Sequence, residues 1–402
     1  MAGEESRAVL ATLEASLALR VRVEGGRIVG LEIEGKRPLQ AARVLEGRSV
    51  EAALAALPVM FRLCGTAQSV AGLQAVEAAL ECGPGPVGRA ARSMLVTVEA
   101  LEQSLWRILL DWPRCADGQP DAASLDHFRR KLRALQRGVF TDRRWNRLGG
   151  ARVKADDGAL RATIEGVDAD IDEILFGGVR GAEVLASRPA FEAWIGDTRT
   201  ATASALEWVY SNGLADFGGA DVRLAGDFDT DYVSDRLAGD DNWAYCERPE
   251  HHGEVHQTGA LARWSDAPLV RALHGEHGYG LSTQLAARLF EVVSLVEALR
   301  EHMLTLAPEE PNGATAITTG RGLGSVETAR GRLFHWVEVR EGTVARYRTL
   351  APTEWNFHPD GPLAAGLVGA PAGDADTTRR AVDLLVTAID PCVGVELELA
   401  EA

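Results

Sequence analysis

Two short stretches, far apart in the chain, carry reactive residue types at informative spacing: Arg62-Leu63-Cys64-Gly65-Thr66-Ala67-Gln68 and Asp390-Pro391-Cys392-Val393-Gly394-Val395. Each reads as half of a metal-binding cysteine pair, with the first thiol kept and the residue three places on replaced by Ala67 or Val395. Thiolate is a soft ligand suited to low-valent metal ions. Each thiol also has a plainer reading, as a buried and inert cysteine, among the most buried residue types. Cys82, Cys115 and Cys246 have no partner at ligand spacing and are assigned no role.

Other polar residues compete for attention. Gln68 and Glu398 lie near the two cysteines in sequence and could assist metal or proton traffic, or be ordinary surface groups. His251-His252-Gly253-Glu254-Val255-His256 superficially suggests nickel, but Gly253 interrupts any helix that would align His252 with His256, so a charged loop is expected. Gly322-x-Gly324 is too short for a nucleotide loop, and no P-loop occurs.

The elements that must position these residues follow from hydrophobic periodicity. Leu17, Leu19, Val21 and Val23 alternate up to Gly25-Gly26, and Ile28, Leu31 and Ile33 return, which predicts a hairpin over 16–34. Apolar steps of three and four predict helices over 47–61 and 66–80, with Cys64 on the turn between them and Gly83-Pro84-Gly85-Pro86 as a break. Longer helices are expected over 93–111 and 282–305, a second hairpin over 333–350 about Glu341-Gly342, and a last helix over 375–388 that delivers the chain to Cys392. The fold class is therefore α+β, mostly helical, with small sheets beside the helices.

Composition narrows the function further. A chain of 402 residues, 46% hydrophobic and 25% charged, is ordinary globular composition with room for a large core, as two layers or two subdomains. The net charge of −16 lacks the electrostatic footprint of a nucleic-acid binder and disfavours an anionic membrane. Met1-Ala2-Gly3-Glu4-Glu5-Ser6-Arg7 is acidic where a signal peptide needs positive charge, and no stretch approaches the roughly 18 apolar residues of a span. Five scattered cysteines are no disulfide framework, so the cytoplasm is the expected compartment.

Paired R-x-C-G-x-x-C and D-P-C-x-x-C segments mark nickel-iron hydrogenase large subunits, and this chain resembles that family with one cysteine removed from each pair. Three further blocks resemble it in the same order. Glu46-Gly47-Arg48 with Ala52 is similar to the lead-in to the first cysteine; Pro249, Gly253, Gly259, Leu261, Ala262 and Arg263 are similar to a mid-chain block. Near the end, Val326-Glu327-Thr328-Ala329-Arg330-Gly331-x-Leu333-x-His335-Trp336 and Pro352-Thr353-x-Trp355-Asn356 resemble V-E-A-P-R-G-x-L-x-H-W and V-P-[ST]-T-W-N. The likeness covers about residues 15–402 and implies one degenerate large-subunit-like domain over 1–402: a hairpin near 16–34, a helical body near 47–310, a hairpin near 333–350, and a helix and site loop near 375–402.

The departures point to a narrower group. Ala71 and Glu398 stand where many large subunits have histidine, and only Leu399–Ala402 follow, so no removable tail is expected. Lone cysteines with C-G-x-A-Q resemble the hydrogenase-like assembly proteins of HupK/HoxV type. That resemblance implies no complete nickel-iron centre and no catalysis. It implies instead a scaffold that holds or helps assemble an iron–cyanide–carbonyl fragment, meeting accessory chaperones and then the apo large subunit.

By the same resemblance Cys64 and Cys392 are the metal ligands, corresponding to terminal nickel ligands. The lost positions are those that bridge to iron, so the iron would sit shifted or borrow a thiolate from a partner. Arg330 and Thr353 would donate to cyanide, with Ala329 and Pro352 as wall; the plainer readings are a solvated arginine and a turn residue. Arg62 could pair with Glu46 or Asp390 and position the loops. The competing readings are a structural hydrogenase-like subunit of a larger redox complex with no metal site, and a mononuclear metal enzyme using Cys64, Cys392 and Glu398.

Overall fold

Strand β1 (Ser16–Glu24) and strand β2 (Arg27–Lys36) form the first antiparallel hairpin, turning at Gly25 and Gly26 with φ of 58° and 73°, a conformation that favours glycine. The computed structural model describes residues 16–36, 39–140, 145–154, 156–241, 243–308 and 318–401. The acidic segment 1–7, the end of the helical body past 308 and Ala402 lie outside the described residues.

Helix α1 (Val50–Met60) starts at Ser49, whose Oγ accepts from Ala52 N at 3.3 Å. Helix α2 (Gly65–Ala79) follows within one bend. Helix α3 (Pro86–Trp106) begins earlier than periodicity suggests, because Pro86 at its first position is pre-set for a helix start. It runs on into a π turn, Arg107–Asp111. Helix α4 (Ala122–Val139) packs beside it, helix α5 (Asp157–Phe176) packs on α4, and shorter helices between residues 181 and 277 lead to helix α6 (Leu281–Thr305), which also packs on α5. The main core lies along α3 and α6, where Val98, Leu101, Leu105, Leu285, Leu289 and Val292 are all fully buried.

The second sheet has three strands, not the two expected: β3 (Gly320–Thr328), β4 (Gly331–Arg340) and β5 (Thr343–Leu350), antiparallel in that order. Strand β3 escapes the alternation pattern because Gly320, Gly322 and Gly324 read as loop. They serve close packing. A Cβ at these positions would meet the carbonyl oxygens of Ala79, Ala75 and Ala71 at 1.9, 2.1 and 2.1 Å, so α2 lies directly on the strand. Helix α7 (Ala375–Ile389) leads to the second cysteine loop.

The site loop expected at the C-terminal side instead becomes strand β6 (Gly394–Glu401). It pairs parallel with β1, Leu17 opposite Val395, Leu19 opposite Leu397 and Val21 opposite Leu399, in the order β2-β1-β6. The far ends of the described chain are thereby held side by side. Among the described residues no helix is long and apolar enough to cross a membrane.

Candidate functional site

Cys64 occupies the N-cap of α2, which supplies no capping side chain of its own. The orphan N–H groups turn to Glu99 on α3: Thr66 N donates to Oε2 at 2.8 Å and Ala67 N to Oε1 at 3.0 Å. A carboxylate there also complements the positive end of the helix dipole. Burial nonetheless pushes the Glu99 carboxyl above its ordinary range, against the pull of those bonds. One turn along α3, Gln103 donates to Leu63 O at 2.6 Å and accepts from Arg330 Nη1. Gln68 Nε2 donates to Cys64 Sγ at 3.6 Å.

The Cys64 thiol is pushed up to about 12, by burial first and then by the charges of Cys392 and Glu99, while Arg330 and the Gln68 hydrogen bond pull it down. Cys392 and the Arg330 guanidinium are therefore both close enough for their charges to act on Cys64. Both cysteines are half-buried, unlike Cys246, which is sealed in a core.

The second half of the site is built around Asp390. This residue ends α7 with φ of 66°, a left-handed turn that aspartate tolerates, and swings the chain back toward Cys392. Its fully buried carboxylate faces three arginines: Arg107 Nε donates to Oδ1 at 2.7 Å, Arg330 Nε lies 3.3 Å from Oδ1, and Arg288 Nη2 lies 3.5 Å from Oδ2. Burial would raise this carboxyl, but Arg330, Arg107 and Arg288 together hold it below the usual range.

Each arginine also ties down backbone. Arg107 donates to Pro391 O at 2.7 Å; Arg288 on α6 donates to Ala329 O at 2.7 Å and to Ala388 O at 3.3 Å. The Arg330 carbonyl accepts from Thr258 Oγ1 at 2.9 Å and Asn356 Nδ2 at 3.3 Å. Gly331, at φ of 128°, leaves the room this needs, since a Cβ there would meet Thr258 Oγ1 at 2.3 Å. The Arg330 Nε is ion-paired with Asp390 at 3.3 Å but is not aligned for a hydrogen bond to it.

Several sequence expectations meet here. Thr353, at the start of the short helix Pro352–Asn356, is fully buried and no plain turn residue: Oγ1 donates to Cys392 Sγ at 3.1 Å and accepts from Cys392 N at 3.3 Å. Arg330 is 4% exposed, so it is not a solvated surface arginine. Ala329 and Pro352 are both buried. Ala67 packs with Val70, Ala71, Val96 and Leu333, and Val395 joins the main core through the β1–β6 sheet. Both lost-cysteine positions are thus filled by apolar packing.

Other expectations fail. Arg62 is exposed and pairs with neither acid named for it, because Glu46 is taken by Arg348 at 2.9 Å and Asp390 by the three arginines. Glu398 is exposed on β6 and bonds Arg20 Nε at 3.2 Å, since strand alternation turns it from the core. The histidine stretch does form a turn, in which Gly253 takes φ of 82°. Among the described residues no group of three or more His, Cys, Asp or Glu side chains is arranged to hold a metal. Two cysteines alone fall short of that number, so any ion here needs exogenous ligands.

Sequence reasoning does not reach Glu99, Gln103, Arg107 or Arg288. They sit inside ordinary amphipathic helices, and only a polar residue on an otherwise apolar face hints at them. The resulting set is two half-buried cysteines, one hydroxyl donor and one guanidinium, with small apolar residues nearby. Such a set suits a soft cation whose remaining ligands are anionic hydrogen-bond acceptors.

Residues 280–395 match the family model described as nickel-dependent hydrogenase. The hydrogenase expression/formation protein HupK of Rhizobium leguminosarum bv. viciae is 30% identical over 395 residues, 96% of this chain and 97% of that one. HoxV of Cupriavidus necator, described in the same words, is 30% identical over 408 residues, covering 97% and 98%. Among solved structures, the reduced Ni-Fe-Se hydrogenase of Desulfomicrobium baculatum superimposes with a TM-score of 0.68 at 18% identity, over 92% of this chain and 95% of that chain, which shows a common fold.

Proposed function

The chain belongs to the hydrogenase expression/formation proteins of the HupK and HoxV kind, with a nickel-iron hydrogenase large-subunit-like fold, and we propose that it is a non-catalytic scaffold of hydrogenase maturation in the cytoplasm. Its cargo is an iron fragment carrying cyanide and carbon monoxide, held before transfer to the apo large subunit with the help of accessory chaperones. A hydrogenase expression/formation role follows from the family; the cargo and the partners are our reading.

The single observation that carries it is the convergence of Cys64 and Cys392 beside Arg330 and Thr353, while Ala67 and Val395 are packed away in apolar contacts. Two thiolates and no bridging sulfur suit one ion, not two. Iron-bound cyanide is an anionic acceptor, and the Arg330 guanidinium, whose charge acts on Cys64, matches it. Ligation by two thiolates alone is also weak enough for release, as a carrier requires. The residues therefore fit the cargo.

Infrared spectra and iron content of protein purified without oxygen, from a host expressing the maturation system, test this directly. Wild type is expected to show cyanide and carbonyl bands, and Cys64→Ser and Cys392→Ser to lose them. Absence of bands and iron in wild type, together with a stable stoichiometric complex with an iron–sulfur small subunit, would favour the metal-free structural subunit instead.

A further inference from the structure

A buried polar chain runs from the second sheet to Cys64. Strand β4 places His335 opposite Gly324 of β3, and the missing side chain at 324 lets α2 approach until Gln68 reaches the imidazole. His335 Nδ1 lies 2.7 Å from Tyr347 Oη, His335 Nε2 lies 2.8 Å from Gln68 Oε1, and Gln68 Nε2 lies 3.6 Å from Cys64 Sγ. Gly72 supplies the space, because a Cβ there would meet Tyr347 Oη at 2.7 Å. His335 and Tyr347 are fully buried and Gln68 is 4% exposed, so water does not compete for these groups.

The direction of the chain is set at its far end. Among the described residues the Tyr347 hydroxyl has one partner, His335 Nδ1. If the hydroxyl accepted from Nδ1–H, its own hydrogen would be buried without an acceptor, at a cost of roughly 1–3 kcal/mol. Tyr347 therefore donates and Nδ1 accepts, which places the imidazole hydrogen on Nε2. Nε2–H then needs an acceptor, so the Gln68 amide must turn its oxygen to His335 and its NH2 to the sulfur.

We infer that Tyr347, His335 and Gln68 form a one-way relay that holds an N–H donor against Cys64 Sγ, making them positioning residues that set how strongly this thiolate donates electrons to a bound metal. The relay itself follows from the hydrogen-bond geometry; only its effect on iron rests on the scaffold reading. An N–H···S bond draws electron density from sulfur. A metal facing that sulfur is poorer in electrons and its carbonyl is less back-bonded, which eases release of the fragment.

Two measurements test this. In unloaded wild-type protein, ¹⁵N NMR of His335 is expected to show a neutral ring protonated at Nε2; a ring protonated at Nδ1, or at both nitrogens, overturns the relay. In loaded protein, Gln68→Leu is expected to move the carbonyl band to lower wavenumber, and Tyr347→Phe to move it the same way by less, with iron content retained. Carbonyl bands coincident with wild type in both variants overturn the effect on the thiolate. If wild type carries no such bands the scaffold reading fails by itself, and the NMR result still decides the relay. Should Gln68→Leu fail to fold, Tyr347→Phe and the NMR measurement decide between the same two outcomes.

Discussion

Replacing Asp390 by Asn removes one charge and almost no volume, so its effect isolates the electrostatics of the cluster. The wild-type carboxylate is fully buried, and its partners Arg288 and Arg330 are 2% and 5% exposed at their side chains. Taking one member from a buried ion pair costs about 3–5 kcal/mol, because the remaining charge is stranded. Here one carboxylate serves three guanidiniums, which places the expectation at the upper end, about 5 kcal/mol. The assay is denaturant unfolding at pH 7 followed by tryptophan fluorescence.

The pH dependence supplies a second reading of the same variant. Asp390 is held below its ordinary value of 3.8, so its contribution is complete above that value and is lost as the pH falls through the folded-state pKa. The gap between wild type and Asp390→Asn should stay constant from about pH 8 to 5 and close below about pH 4. Adding Arg288→Met to Asp390→Asn should recover part of the loss by removing a stranded cation. A pH 7 gap under about 1 kcal/mol, or one that persists undiminished in acid, would contradict this account of the cluster.

Three further outcomes are open to measurement. Gly324→Ala should cost about 3 kcal/mol or more, because its Cβ would meet Ala71 O at 2.1 Å, whereas Gly373→Ala, with open space around it, should be near neutral in the same melts. Glu99→Gln should make Cys64 easier to ionise by deleting a neighbouring negative charge, seen as faster alkylation at fixed alkaline pH; unchanged rates would remove Glu99 from the site. His335→Phe should flatten the acid limb of stability: burial pushes His335 from 6.5 down to about 3, so between those values the unfolded chain takes the proton and the folded one does not. Wild type should therefore lose up to about 1.4 kcal/mol per unit fall in pH over that window, and the variant should lack this slope.

The parts of the site that announce themselves are those where a residue type is rare and its motif local. Cys64, Cys392, Arg330 and Thr353 lie in short runs that stand out from the sequence alone. Glu99 gives no such sign, since its role depends on α3 crossing the start of α2, 32 residues away in sequence from Ala67. Asp390 and Arg330 are visible in the sequence but Arg107 and Arg288 are not, because they lie within helical stretches and are better placed than Arg62. Strand β6 does carry a signal: Val395, Leu397 and Leu399 alternate with Glu396 and Glu398. Strand β3 cannot be read from alternation, because its glycines are chosen for what lies against them.

Residues of β1 and β6 that touch, such as Arg20 and Glu398, are 378 positions apart. A nascent polypeptide that has not yet reached residue 392 carries only Cys64 of the site pair. On the scaffold reading, an ion shared by both thiolates would be taken up only after residue 392 is made, and a partner covering the edge of β1 that β6 occupies would keep the two cysteines apart.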